Sequence, residues 1–292
     1  MTIKKMILGV YRVTMTLIGG HGIGNYFPIK NINKFLINKL KSNSASVLGH
    51  KMILDSNDSL EISINKVYEK FETDFINREI KKGEVVLDIG ANIGYYTLIF
   101  ARLVGEKGKV FAFEPDPNNF QILKKNVELN GYKNVILINK AVANKSGKLK
   151  FYLSEVNMGD HRIYDSYDGR KNIEVKCIKI DEYFQDYKGK IDFVKMDIQG
   201  SETGAILGMA KLLGKNNKIR IISEFWPVGL KKCGVEPIQY IKLLQKNGFS
   251  LMELNDVKKT IKPIDVDKLL KTYTVEKENF TNLFCVRLKH KS

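Results

Sequence analysis

The sequence predicts a doubly wound α/β fold: a mostly parallel seven-stranded sheet flanked by helices, with an antiparallel hairpin at its C-terminal edge. Three observations predict it. From Val85 onward, short apolar runs alternate with helix-length amphipathic segments, the pattern of βαβ units with right-handed crossovers around a buried parallel sheet. One run, Val85 to Ile89, leads straight into a glycine-bearing turn and then a helix. The chain closes on two strand-like runs with no long helical segment between them.

At 292 residues the chain can bury one substantial core, and its densest run of motifs favours one main domain with additions. The expected division is an N-terminal helical appendage over 1–45 and a main domain over 46–292, with a hairpin and loop insertion at about 147–180. Hydrophobic residues make up 43% and charged residues 27%, which excludes disordered, collagenous and membrane-bundle classes. The net charge of +16 attracts anions, but the lysines are scattered rather than blocked, so no nucleic-acid-binding tail is expected. Cys177, Cys233 and Cys285 lie far apart, form no C-x-x-C pair and are odd in number. A zinc site or disulfide framework is not expected, and a reducing cytoplasmic compartment fits.

Met1 to Lys5 is basic and Met6 to Gly19 largely apolar, but Arg12 interrupts the run and no small-residue cleavage site follows. The apolar stretch also falls short of the roughly 20 residues that span a bilayer. Ile3, Ile7, Val10, Thr14 and Leu17 recur at helical spacing, giving a helix that packs on its own domain or docks on a partner or a membrane surface. The glycines from Gly19 to Gly24 break it before a second amphipathic run near Phe35 to Leu40. Alternation at Met52, Leu54 and at Leu60, Ile62, Ile64 predicts a hairpin turned by Ser56-Asn57-Asp58. Strands then follow at Val85–Ile89, Lys109–Glu114, Val135–Asn139, Ile191–Asp197, Ile219–Phe225, Phe249–Asn255 and Asn282–Leu288. Helices are expected at Tyr95–Val104, Asn118–Asn130, Thr203–Leu213 and Pro237–Asn247, two of them stopped by Gly131 and Gly248. Asp181 reads as a helix cap.

In Asp88-Ile89-Gly90-Ala91-Asn92-Ile93-Gly94, Gly90 permits the tight turn and Gly94 the close approach of a ligand, while Asp88 can receive backbone N–H groups or an ammonium. Glu114, ending the next strand in Phe113-Glu114-Pro115, is placed to accept both hydroxyls of a ribose. A dinucleotide would also suit such an arrangement. Against it, the turn reads G-A-N-I-G rather than G-x-G-x-x-G, proline follows the acid at once, and the C-terminal strands suggest an antiparallel edge. All three favour the methyltransferase form of this architecture.

From about Glu72 to Asn255 the sequence resembles the FkbM-family methyltransferases. The residues that carry the resemblance are Leu87 to Thr97, Phe113-Glu114-Pro115, Ala141-Val142 with Gly147, and above all Asp192-Phe193-Val194-Lys195-Met196-Asp197-Ile198-Gln199-Gly200-Ser201-Glu202. Position 199 is usually Glu in that family and is Gln here, which weakens any role for a charge there. The resemblance implies a class I methyltransferase fold, S-adenosyl-L-methionine as methyl donor, and O-methylation of a sugar, glycan or secondary metabolite. It implies cofactor contacts at Asp88, Gly90, Asn92, Gly94, Glu114, Ala141 and Asp197.

A sulfonium is already a strong electrophile, so the protein must align an in-line attack and remove the hydroxyl proton. Asp197 ends the fourth strand and Glu224 the fifth, so both carboxylates project into one crevice. The pair would also suit Mg²⁺, but no third ligand is evident, direct roles are preferred, and no metal site is expected. Asp160, His161 and Arg162 lie in the insertion between Leu149–Leu153 and Ile173–Ile178. His161 is a further candidate base, and Arg162 a holder of an anionic or polyhydroxyl acceptor; a solvated loop is the plain alternative. Trp226 either stacks on a sugar ring or packs. Glu202 either caps the following helix or touches substrate, and Glu72, ahead of the first strand, is placed to reach the cofactor's amino group. Two rivals remain: an RNA methyltransferase, for which no RNA-binding module is recognisable, and a catalytically silent domain, against which Asp88, Glu114 and Asp197 are all retained.

Overall fold

The computed structural model describes residues 41–287, which fall into two compact units dividing between Tyr68 and Glu69. The expected N-terminal helix over Ile3 to Leu17 and the run near Phe35 to Leu40 lie outside the described residues. No helix among the described residues is long and apolar enough to cross a membrane.

In the first unit, β1 (Ser44–Val47) and β2 (His50–Ile53) form an antiparallel hairpin around Leu48 and Gly49, both at positive φ. The sequence placed this hairpin later, with Leu60 to Ile64 as its second arm. That segment instead holds the helical turn α1 (Ile62–Asn65). Two aspartates explain the difference. Asp55 accepts the amides of Asn57 and Ser59 at 2.9 and 3.0 Å, and Asp58 those of Ile62 and Ser63 at 2.9 and 3.1 Å. The backbone thus finds its partners in side-chain carboxylates rather than in a neighbouring strand.

The second unit runs α2 (Lys70–Glu79), β3 (Val85–Ile89), α3 (Tyr95–Val104), β4 (Lys109–Phe113), α4 (Pro117–Leu129) and β5 (Val135–Ile138). A small sheet of β6 (Ala141–Val142), β7 (Gly147–Tyr152) and β8 (Asn172–Ile178) follows, then α5 (Ile180–Tyr183). The chain continues through β9 (Phe193–Met196), α6 (Glu202–Gly208), α7 (Ala210–Lys215), β10 (Arg220–Phe225), α8 (Pro227–Lys232) and α9 (Pro237–Lys246). It ends with β11 (Ser250–Asn255), β12 (Thr260–Pro263), α10 (Val266–Thr272) and β13 (Thr281–Val286).

The main sheet has the order β12-β11-β13-β10-β9-β3-β4-β5. The strands β10, β9, β3, β4 and β5 are mutually parallel. The expected antiparallel edge is present, but with eight strands rather than seven: β13 runs antiparallel between β10 and β11, and β12 caps β11 outside. Burial decides which strand goes where. Every residue of Thr281–Cys285 is buried, so β13 needs cover on both faces, whereas β12 is largely solvated and ends on Pro263, as suits an edge. Leu87, Ile89, Val194, Met196, Ile221 and Leu283 sit in one continuous core, each burial contributing about 1.5–3 kcal/mol. The chain order reverses between β3 and β9, so the carboxyl ends of these two strands open the crevice where such sheets bind ligands.

The single helix expected over Thr203–Leu213 is two, α6 and α7, separated at Met209. Asp181, expected to cap the turn it begins, lies inside α5 and caps α7: its carboxylate accepts the amides of Lys211 and Leu212 at 2.9 and 2.8 Å. The helix α8 has no counterpart among the expected elements; Pro227 occupies its first turn, where no amide is needed. Replacing Asp181 with alanine removes both cap bonds and should lower stability by about 1 kcal/mol. Thermal unfolding should show this as a fall in Tm of about 2–4 °C.

Candidate active site

At the end of β3 the chain turns through Gly90 (φ 85°), Asn92 (φ 49°) and Gly94 (φ 96°). A Cβ at Gly90 would lie 2.1 Å from the carbonyl oxygen of Asp197, so the glycine is what lets the end of β9 pass this close. The space beside Gly94 is filled by Leu123, whose Cδ1 would be 2.7 Å from an added Cβ; the close approach there is to α4. Asp88 is buried and accepts the Thr97 hydroxyl. Burial lifts its carboxyl to about 6, against the pull of that hydrogen bond. Glu114 is also buried, accepting the Asn92 amide on Oε2 and the Asp116 amide on Oε1, each at 2.8 Å. Burial raises it to about 8, with the two amides opposing. Asn92 Oδ1 is buried with no hydrogen-bond partner, an acceptor left over inside the loop. Ala141 begins β6 and pairs with Cys177; two residues before it, Asn139 donates to the Glu114 carbonyl at 2.8 Å.

Across the crevice, Asp197 follows β9, its amide bonded to the Ile89 carbonyl at 3.1 Å. Glu224 stands near the end of β10, one residue beyond the pairing of Ser223 with Met196. Gln199 (φ 54°) folds back so that Nε2 donates to Asp197 Oδ1 at 2.9 Å and to Glu224 Oε2 at 3.3 Å. Beneath them Lys195 is 3% exposed, its ammonium 3.4 Å from Glu72 Oε1, 3.8 Å from Asp197 Oδ2 and 4.4 Å above the Tyr96 ring. Burial alone would strip its proton, but Glu72 and Asp197 outweigh that and hold it charged. Glu72 is fully buried and also accepts from Asn282; burial raises its pKa, against the pull of Lys195. Burial, then the charges of Asp197 and Glu202, push Glu224 well above the usual carboxylate range. Glu202 faces its own loop, accepting the amides of Ile198 and Gly200 at 3.1 and 3.3 Å, and burial raises it to about 7.

The insertion residues form their own network. His161 is buried, its Nδ1 accepting the Ser154 amide at 2.9 Å and its ring meeting Phe151 edge-on. Asp160 is chelated by Arg162, at 2.8 Å from Nε, and paired with Arg170 at 2.7 Å. The Arg162 guanidinium lies 5.0 Å from the Trp226 ring centre, and the backbone at Gly229 presses on the same ring, since a Cβ there would meet it at 2.3 Å. At its other end the loop is fastened to α4, where Asn119 donates to the Met158 carbonyl at 2.9 Å.

The structure therefore brings Asp88, Gly90, Asn92 and Glu114 to one lip of the crevice and Asp197 with Glu224 to the other. Trp226 packs between Gly229 and Arg162, while His161 and Asp160 are held within the insertion. Sequence reasoning missed Lys195. The signal was there: a lysine inside the otherwise apolar Phe193-Val194-Lys195-Met196 must find anions once buried.

Residues 88–251, more than half of the chain, match the sequence profile of the methyltransferase FkbM domain. The chain is similar to the hexuronic acid methyltransferase AglP of Haloferax volcanii, 29% identical over 170 residues that cover 58% of this chain and 64% of that protein. It is similar also to methyltransferase sdnD of Sordaria araneosa, 24% identical over 227 residues, covering 62% of this chain and 84% of that protein. A solved SAM-dependent O-methyltransferase from Thermotoga maritima superposes with a TM-score of 0.41 at 18% identity, over 89% of this chain and 83% of that one. The chain spans less than two thirds of the length of the curated relatives it matches first.

Asp88, Glu114 and Glu202 bind their protons more tightly folded than unfolded, with pKa values raised to about 6, 8 and 7 from 3.8, 4.5 and 4.5. Their contribution to stability is full below the unfolded values and drains as pH rises toward about 8. Urea titrations between about pH 5 and pH 8 should show a falling midpoint, and Glu114→Gln should flatten the slope. A midpoint that rises across that window would contradict the assignment.

Proposed function

Because the chain belongs to the FkbM methyltransferase family, we propose that it is an O-methyltransferase that takes a methyl group from S-adenosylmethionine and places it on a hydroxyl of a sugar or glycan. The observation that carries this reading is the pairing, at the switch point of the sheet, of a nucleoside-suited lip with two carboxylates on the adjoining strand ends. The residues present fit the donor: Asn92 Oδ1 is a buried acceptor lacking a partner, and Glu114 keeps further lone pairs for the two ribose hydroxyls. Asp88 and the carboxylates around Lys195 make the floor of the crevice acidic, which suits a ligand bearing both an ammonium and a sulfonium.

When bound, the donor supplies an electrophilic methyl group. The chain's own part is to hold the acceptor hydroxyl and accept its proton, a role for Asp197 or Glu224. Glu224 with its raised pKa is the stronger base once ionised. His161 is the less favoured candidate, because accepting the Ser154 amide occupies its Nδ1 lone pair. Arg162 and Trp226 border the acceptor side, where the loop can meet a polyhydroxyl ring. The similarity to a hexuronic acid methyltransferase supports a sugar acceptor. The acidic crevice favours a neutral hydroxyl over a carboxylate as the atom methylated.

Incubation with methyl-labelled S-adenosylmethionine and a panel of neutral and uronic-acid-bearing glycans should give a base-stable ether; a base-labile methyl ester would place the methyl on a carboxylate instead. Asp197→Asn should reduce transfer by about 10²-fold or more while leaving cofactor affinity, read by calorimetry, within a few-fold. Glu114→Ala should weaken cofactor binding by about tenfold or more, as two hydrogen bonds to the ribose are lost.

A further inference from the structure

We propose that the Gln199 side-chain amide occupies the position between Asp197 and Glu224 that a divalent cation would otherwise take, and that this positioning residue makes methyl transfer by this chain independent of metal. The inference deepens the reading above, since it assumes that these carboxylates face the acceptor. One nitrogen serves both acids, at 2.9 and 3.3 Å, and an amide nitrogen has two hydrogens, one for each. The opposite oxygen of Asp197 faces Lys195 at 3.8 Å, so the carboxylate is steadied from two sides, by a fixed cation below and a neutral donor beside it.

The turn that presents Gln199 is built for the purpose. Gln199 and Gly200 both have positive φ, at 54° and 99°, which swings side chain 199 back toward residue 197. Glu202 ties the amides of Ile198 and Gly200 from within. From outside, the turn rests on α8, where a Cβ at Gly200 would meet the Gly229 backbone at 2.3 Å. A left-handed non-glycine residue costs about 1–2 kcal/mol, an expense that a glycine would avoid, so the side chain is what the position retains.

Among the described residues no group of three His, Cys, Asp or Glu side chains is gathered to hold a metal ion. Substituting Gln199→Glu would add the third oxygen donor beside Asp197 and Glu224, the hard carboxylate set that Mg²⁺ and Mn²⁺ prefer. The amide is therefore the element that decides between two ways of handling the acceptor proton: removal by a carboxylate, or acidification by a cation.

The test uses the full chain, with Mn²⁺ as probe and its free fraction followed by electron paramagnetic resonance. The native protein should leave Mn²⁺ free and transfer methyl equally with and without EDTA. Q199E should bind Mn²⁺ at least about tenfold more tightly, and its transfer should fall with EDTA and recover on adding Mn²⁺. Q199A, with the amide gone but no third carboxylate added, should bind Mn²⁺ more tightly than the native protein and less tightly than Q199E, and should lose about tenfold or more in kcat without added metal, with cofactor affinity within about twofold. A native enzyme that EDTA inhibits, a Q199E protein that folds by circular dichroism yet binds no Mn²⁺, or a Q199A protein with native kcat would each overturn the proposal. If Mn²⁺ binding follows the expected pattern but no variant methylates any hydroxyl, the bridging role stands and the reaction assigned to the site falls.

Discussion

The site rests on one buried ammonium. Lys195 lies in register with Asp88 on the neighbouring strand and is almost wholly buried, with Glu72 and Asp197 within 4 Å and the Tyr96 face beneath it. A unit charge pair at that range is worth about 4 kcal/mol at an effective dielectric of 20, enough to offset much of what burial takes away. Taking one partner from such a cluster leaves the others uncompensated, typically a loss of about 3–5 kcal/mol. The ammonium thus does two jobs: it joins α2 to the sheet through Glu72, and it fixes the Asp197 oxygen opposite the one that Gln199 holds.

The second constraint is backbone proximity. Gly90 lies against the Asp197 carbonyl and Gly200 against Gly229, with room for no Cβ at either place. The β3 turn, the β9 turn and the start of α8 are therefore set by main-chain contact, which has fewer ways to relax than side-chain packing. Carboxylates carried on such turns keep their spacing without a large web of side-chain bonds.

The parallel sheet was legible because strands buried on both faces read as unbroken apolar runs. Asp88, Glu114, Asp197 and Glu224 stood out because each is a charge at or near the end of such a run. What failed was whatever depended on local backbone choices. Leu60, Ile62 and Ile64 alternate like a strand, yet Asp58 captures the amides at Ile62 and Ser63 and turns the segment into helix. The four residues of β12 were too short and too polar to register, so the strand count came out one low. Gln199 was noticed as a departure in charge, but its bridging role depends on a left-handed backbone at that residue, which no spacing rule reveals. Trp226 could not be assigned from sequence because its neighbour, Arg162, comes from a loop 64 positions earlier.

The insertion brings its own core, in which Ala141, Phe151, Val175 and Cys177 pack together, and it joins the rest of the unit through Val142 in the main core, through the Ala143 backbone against Gly208, and through Asn119 and Trp226. A segment that folds around its own hydrophobic centre can change the residues of its loop without loosening the main sheet. The loop of the insertion and the turns of the main sheet are in this way held by separate sets of contacts, so the one can vary while the other keeps its shape.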